Sequence, residues 1–247
     1  MSGELTLEIC VDTPEAFNAA IAGGADRIEL CSALALGGLT PTPGLMAYAK
    51  DAPIPVYALI RPRDGNFVFS RSERAVMQGD IQAAKAMGLA GVVLGASLAD
   101  GRLDETTLRE LIADAEGLGL GLHRAFDLVP DMAEALELAV SLGFEHILTS
   151  GGAAKAPDGL DRLADLVTQA AGRISILPGS GINKSNAAKI LARTGAHELH
   201  ASCRTVVRQP EAKLVDLGFA TVPIYETRPE TVIALKASMM ADPNLSA

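Results

Sequence analysis

The chain has 247 residues, 49% of them hydrophobic and 21% charged, and carries 30 acidic against 21 basic side chains for a net charge of −9. That apolar content excludes a disordered chain, and the acidic balance argues against a nucleic-acid binder or an anionic-membrane surface protein, both of which need basic surface. No run approaches the 18 or so apolar residues of a membrane span, and Met1–Glu4 lacks the basic and apolar regions of a signal peptide, so a cytoplasmic location is expected.

In chain order, short apolar runs rich in branched residues alternate with helical patterns. Strands are expected at Leu5–Val11, Arg27–Cys31, Val56–Arg61, Gly91–Gly95, Gly121–Ala125, His146–Ser150, Ile174–Pro178 and Glu198–Ser202. Helix starts are marked by Thr13-Pro14, by the S-x-x-E box of Ser70 and Glu73, and by Asp104 and Asp131. Gly23, Gly88, Gly117, Gly143 and Gly195 close helices before the next strand. Strands recur roughly every 20–35 residues, the length of one βα unit. Eight such units predict an α/β fold, a TIM (β/α)8 barrel spanning residues 1–247 as one domain. The Rossmann alternative wants a glycine-rich first turn, and Val11-Asp12-Thr13-Pro14 contains none. The longest irregular segment, Arg204–Pro229, falls on the face where barrel active sites form.

Strand parity then selects the inward side chains. Strands one and two read Glu8-Ile9-Cys10 and Glu29-Leu30-Cys31, with Ile28 and Leu30 left to face the helices. Arg61 ends strand three, His123 and Arg124 end strand five with Asp127 just beyond, and Glu198 and His200 share a face of strand eight. Buried ions cost several kcal/mol unless paired, so these groups form either a salt-bridge net of Glu8 and Glu29 with Arg61 and Arg27, or a polar pocket at the C-terminal mouth. On the pocket reading the candidate catalytic set is Glu8, Glu29, Arg61, His123, Arg124, Asp127 and His200. His146 reads as a satisfied strand residue, and His197-Glu198-Leu199-His200 lacks the spacing of a zinc-protease motif.

The seventh turn, Gly179-Ser180-Gly181, follows a strand and is expected to open a helix, so it is a candidate anion site together with Ser202 and with Gly151 of the sixth turn. The loop from Cys31 to Gly44 is a candidate lid. Three cysteines, Cys10, Cys31 and Cys203, are too few and too odd in number for a disulfide framework.

Leu7-Glu8-Ile9-Cys10, Gly24–Cys31, Gly37-Gly38-Leu39-Thr40-Pro41, Ile60–Arg63, His123–Asp127 and Leu148–Gly151 together resemble the CutC copper-homeostasis family, in order from residue 7 to about 203. The resemblance implies a TIM barrel, a cytoplasmic location, a homo-oligomer and a role in copper tolerance and trafficking. It also implies Cu(I) as cofactor or cargo, bound by Cys10 and Cys31. Soft thiolates suit Cu(I), and neighbouring strands lie about 4.8 Å apart, so the two could share one ion. Cys203 and the Arg204–Pro229 segment depart from the family pattern. Two readings follow: a Cu(I)-handling protein, or an enzyme acting on a small phosphorylated or carboxylated anionic metabolite, with an ion held by glutamate and histidine as a variant.

Overall fold

A computed structural model describes residues 5–220 and 223–240; the reading of Met1–Glu4 lies outside them. Eight strands alternate with helices: β1 (Thr6–Val11), α1 (Pro14–Ala22), β2 (Arg27–Leu30), α2 (Pro43–Ala49), β3 (Val56–Leu59), α3 (Arg71–Ala86), β4 (Gly91–Leu94) and α4 (Glu105–Asp114) form the first half. The second half is β5 (Gly119–Leu122), α5 (Met132–Ser141), β6 (His146–Thr149), α6 (Leu160–Ala170), β7 (Ser175–Pro178), α7 (Ala187–Thr194) and β8 (Glu198–Ala201). All eight pair in parallel in the order β7-β6-β5-β4-β3-β2-β1-β8, so the sheet curls into a nearly closed barrel whose seam lies between β7 and β8. The expected α/β TIM barrel is the observed fold.

The helices begin where their capping residues stand. Thr13, Ser70, Asp104 and Asp131 each accept a first-turn backbone N–H, and Ser70 with Glu73 forms the reciprocal box. At the end of α1 the left-handed residue is Gly24; Gly23 stays right-handed.

Parity splits the barrel's side chains into two layers. Leu7, Ile9, Val11, Ile28, Leu30, Ile60 and Leu94 are fully buried under the helices. The interior instead holds a small cluster of Cys10, Cys31, Tyr57, Leu59 and Val93 amid charged groups. Glycines on β4, on β5 and just after β4 make room for three inward rings. A Cβ on Gly91 would lie 2.3 Å from the Tyr57 ring, one on Gly121 2.4 Å from His146 Nε2, and one on Gly95 2.5 Å from the His123 ring.

Several expectations change. β5 starts two residues early, since Gly119 pairs with Gly91, and it stops at Leu122 because the His123 ring accepts the Ala125 N–H and opens a 3-10 turn, Arg124–Leu128. The described residues of the Arg204–Pro229 segment hold regular structure: β9 (Arg204–Arg208) and β10 (Ile224–Thr227) pair as an antiparallel ribbon, with α8 (Ala212–Asp216) between them in sequence, and α9 (Pro229–Met239) follows. The turn at Gly179–Gly181 does not open a helix. α7 begins only at Ala187, after a run of turns over residues 184–186. Among the described residues no helix is long and apolar enough to cross a membrane.

Candidate functional site at the barrel mouth

Glu8, in the middle of β1, is paired across the sheet with Arg27 on β2 and His200 on β8. Its carboxylate is 1% exposed; one oxygen accepts from Arg27 Nε and the other lies 2.7 Å from His200 Nδ1. Arg27 also donates to Glu198, 2.6 Å away. Burial pushes Glu8 up, but the Arg27 guanidinium and the hydrogen bond to His200 outweigh it and hold the carboxyl well below the usual range. Burial likewise disfavours charge on His200, yet attraction to the Cys10 sulfur and the bond to Glu8 hold its imidazolium well above the ordinary value. Two acids and two bases thus form a balanced chain across three strands, the arrangement that makes buried charge tolerable.

The salt-bridge reading holds for Glu8 and Arg27 but not for Arg61. The Arg61 Nη atoms donate to the carbonyls of Leu36, Gly38 and Gly65, at 3.0, 2.8 and 3.0 Å, and its stem carries the guanidinium over Phe67. Among the described residues Glu29 has no arginine within ion-pair distance; Cys31 Sγ lies 3.5 Å and His200 Nε2 3.8 Å from its carboxylate. Burial therefore raises Glu29, against the pull of His200. Burial and the Glu29 carboxylate push the Cys31 thiol well up.

Above this chain Cys10, Glu29 and His200 converge, with one ligand atom from each within 4.8 Å of the others. Cys31 is not in that set. It lies fully buried beneath the loop, 3.5 Å from where a Cβ on Gly38 would stand, and donates to Glu29. Cys203 sits in left-handed backbone at φ 48°, and burial pushes its thiol up to about 12.

The trio forms the floor of a cavity of about 470 Å³ at the C-terminal ends of the strands. Of the sequence candidates, Cys10, Glu29, Arg61, His123, Arg124, Ser180, Gly181, His200 and Ser202 line it. The Cys31–Gly44 loop forms one wall through Leu34, Leu36 and Gly37, folded by a 3-10 turn and a Ser32–Leu39 bridge. Glu8 stands behind His200, outside the lining.

Asp127, Gly151 and Gly179 are not brought to the cavity. Asp127 accepts from Thr149 Oγ1, from the Ser150 and Gly152 amides and from Arg124 at 2.7 Å, so it knots the sixth turn and anchors an arginine. The Gly151 amide is taken by Thr149 Oγ1, and Gly179 donates to the Thr149 carbonyl. Of the expected anion site, Gly151 and Gly179 thus have their amides taken, while Ser180, Gly181 and Ser202 face the cavity.

His123 is 4% exposed; its Nδ1 accepts the Ala125 N–H, and burial next to Arg61 takes it down to about 3, so the ring stays neutral with its proton on Nε2. His146 departs from its reading as a satisfied residue, because its Nε2 is buried without a partner. Phe67 and Leu36 also line it and carry no signal in the sequence, since they reach the mouth from the loops around β2 and β3. Arg204, the first residue of β9, instead follows strand eight directly and was legible as a guanidinium donor there. Glu198 and Arg27 were legible through parity alone, as inward neighbours of His200 and Glu29.

The model of the CutC family matches residues 5–205. A family protein CutC from Rhizobium meliloti (strain 1021) is 55% identical over 237 residues, 96% of this chain and 97% of that one. Another from Caulobacter vibrioides (strain NA1000 / CB15N) is also 55% identical, covering 94% and 97%. Among solved structures, one from Streptococcus agalactiae described as the "Putative Copper Homeostasis Protein CutC" aligns with a TM-score of 0.77 at 30% identity, over 80% of this chain and 98% of that one. Thiamine phosphate pyrophosphorylase from Pyrococcus furiosus, at 18% identity and a TM-score of 0.57, shares the fold alone. From the first strand to the turn after the eighth, in sequence and in three dimensions, this chain belongs to the CutC family.

Proposed function

We propose that the chain handles copper, taking Cu(I) as cargo at the barrel mouth through Cys10 and His200, with Glu29 beside them. One observation carries the reading: three ligating side chains from three strands converge within 4.8 Å, and the remaining nitrogen of the histidine is clamped by a carboxylate. A metal-binding histidine characteristically gives its other ring nitrogen to a carboxylate, which fixes the ring and presents the free nitrogen. Here Glu8 supports Nδ1, Arg27 and Glu198 support Glu8, and Nε2 faces Cys10 and Glu29.

The donor set offers a soft sulfur and an imidazole, both suited to Cu(I); the carboxylate is a harder ligand. Cys31 then supports the site by donating to Glu29 rather than by ligating, which shifts the ligand pair expected from the family resemblance. Binding must displace the proton that His200 holds and any proton on the Cys10 sulfur, so affinity rises with pH. All three cysteines are free thiols, as a reducing cytoplasmic setting would keep them.

The test is a Cu(I) titration of reduced protein in competition with a chromogenic chelator. Cys10→Ser is expected to lose most of the affinity, Glu8→Gln to lose about 10- to 100-fold as the histidine's support goes, and Cys31→Ser to change little. Full affinity in a folded Cys10→Ser protein would refute the proposal.

A further inference from the structure

On the copper reading, one ion and its three ligands would take up only the floor of the mouth cavity. Its volume of about 470 Å³ lies within the range of small-molecule sites, roughly 300–1,000 Å³. The charge of its walls also runs against that of the chain. The protein is acidic overall, at −9, yet Arg61, Arg124 and Arg204 line the cavity against a single carboxylate, Glu29.

Arg124 is already neutralised by Asp127. Among the described residues Arg61 and Arg204 make no ion pair: Arg61 is 7% exposed and held by carbonyls, and Arg204 stacks over Tyr225 at 5.1 Å. A guanidinium has five N–H donors, and the carbonyls take three of those on Arg61. Its Nε is buried with no partner, and so is His123 Nε2. Because Nδ1 of His123 accepts a backbone N–H, the orphaned Nε2 is a donor. Two nearly buried side chains on neighbouring walls thus hold spare donors and one uncompensated positive charge. Orphaned donors of that kind are costly unless a ligand takes them up. Leu34, Leu59 and Ile182 in the same lining offer apolar contact.

We propose that the cavity binds a small organic oxyanion, a carboxylate or a phosphate ester, with its charged end held by Arg61 and His123 and its carbon body against the apolar wall. Arg204 closes the charge from the rim. Ser180 and Gly181 share the cavity's lining, but the anion's charge is held by Arg61 and His123, and binding does not depend on copper.

Calorimetric titration of the metal-free full-length protein with succinate in one arm and glycerol phosphate in the other tests it, at constant ionic strength set with sodium chloride. Saturable binding in either arm is expected, and the tighter arm identifies the headgroup. Arg61→Gln should weaken binding at least about tenfold, the scale of one charge-assisted hydrogen bond. Arg61 also props up three loop carbonyls, so Arg204→Ala and His123→Asn, each expected to weaken binding severalfold, serve if Arg61→Gln does not fold. Cu(I) titration of the same variants should stay near wild type, which separates failure of this site from failure of the copper reading. No saturable binding in either arm, or unchanged affinity in both Arg204→Ala and His123→Asn, would overturn the proposal.

Discussion

Glu8 ties three strands of this barrel together through one buried carboxylate. It receives the charge of Arg27 and the ring of His200, and it does so at 1% exposure, where no water can take over either bond. Removing one partner from a buried ion pair costs about 3–5 kcal/mol, because the surviving charge keeps its desolvation penalty without its compensation. Glu8→Gln is therefore expected to destabilise the protein by about that amount, measured by urea unfolding, with the protein still folded at neutral pH. A loss under about 1 kcal/mol would mean that water reaches the chain of charges. Cys10, Glu29 and His200 were legible as inward residues because a strand's period of two is strict. The partner each would choose was not legible. Arg61 and Glu29 carry opposite charges and both face the barrel, yet Arg61 is claimed by the Leu36, Gly38 and Gly65 carbonyls of the loops that surround it.

Among the elements, α3 shows how far local sequence reaches. Ser70 accepts the Glu73 amide while the Glu73 carboxylate accepts the Ser70 amide, at 3.3 and 2.6 Å, and the helix starts there. Ser70→Ala should cost about 1 kcal/mol in thermal or urea unfolding without altering ligand binding. An unchanged stability would show that tertiary packing alone sets the start of α3. Elements without such local chemistry were misread. β5 reads as Gly121–Ala125 by its apolar run, but the ladder with β4 places it at Gly119–Leu122. The β9–β10 ribbon was hidden because Arg204–Arg208 and Ile224–Thr227 alternate weakly and lie far apart in sequence, so only their pairing defines them. The turn after β7 departs from the expected helix start for a similar reason, since the Gly179 amide is taken by the Thr149 carbonyl and α7 starts only at Ala187.

At the scale of the whole molecule, buried histidines set the response to pH. Folded His123 titrates at about 3, against about 6.5 in an unfolded chain. Between those values the unfolded state binds the extra proton, so stability falls as the pH drops from about 6.5 toward 3, by up to about 1.4 kcal/mol per pH unit. His146, lowered by burial, adds to the same slope. Glu8 adds below its unfolded value of about 4.3, as its stabilisation fades with further acid. His200 has the opposite sign: its stabilisation is complete below about 6.5 and is lost as the pH rises through its raised folded value. Urea unfolding across pH 4–8 should therefore show a shallower acid limb in His123→Asn than in wild type, by up to one proton. Equal limbs would mean that His123 is protonated in the folded barrel.

The amino-acid sequence by itself determined the eight βα units, the capped helix starts and the set of charged and sulfur side chains that face inward, because those depend on hydrogen bonds and periodicities spanning a few residues. Tertiary structure alone decided the partnerships: that His200 leans on Glu8, that Cys31 stays beneath Glu29 outside the converging trio, that Asp127 consumes the sixth turn's amides, and that Arg61 and His123 keep donors to spare. The physical reason is distance along the chain. Glu8 and His200 are separated by nearly the full barrel, and only closure of the sheet, with glycines clearing space for Tyr57, His146 and His123, brings such groups within reach of one another.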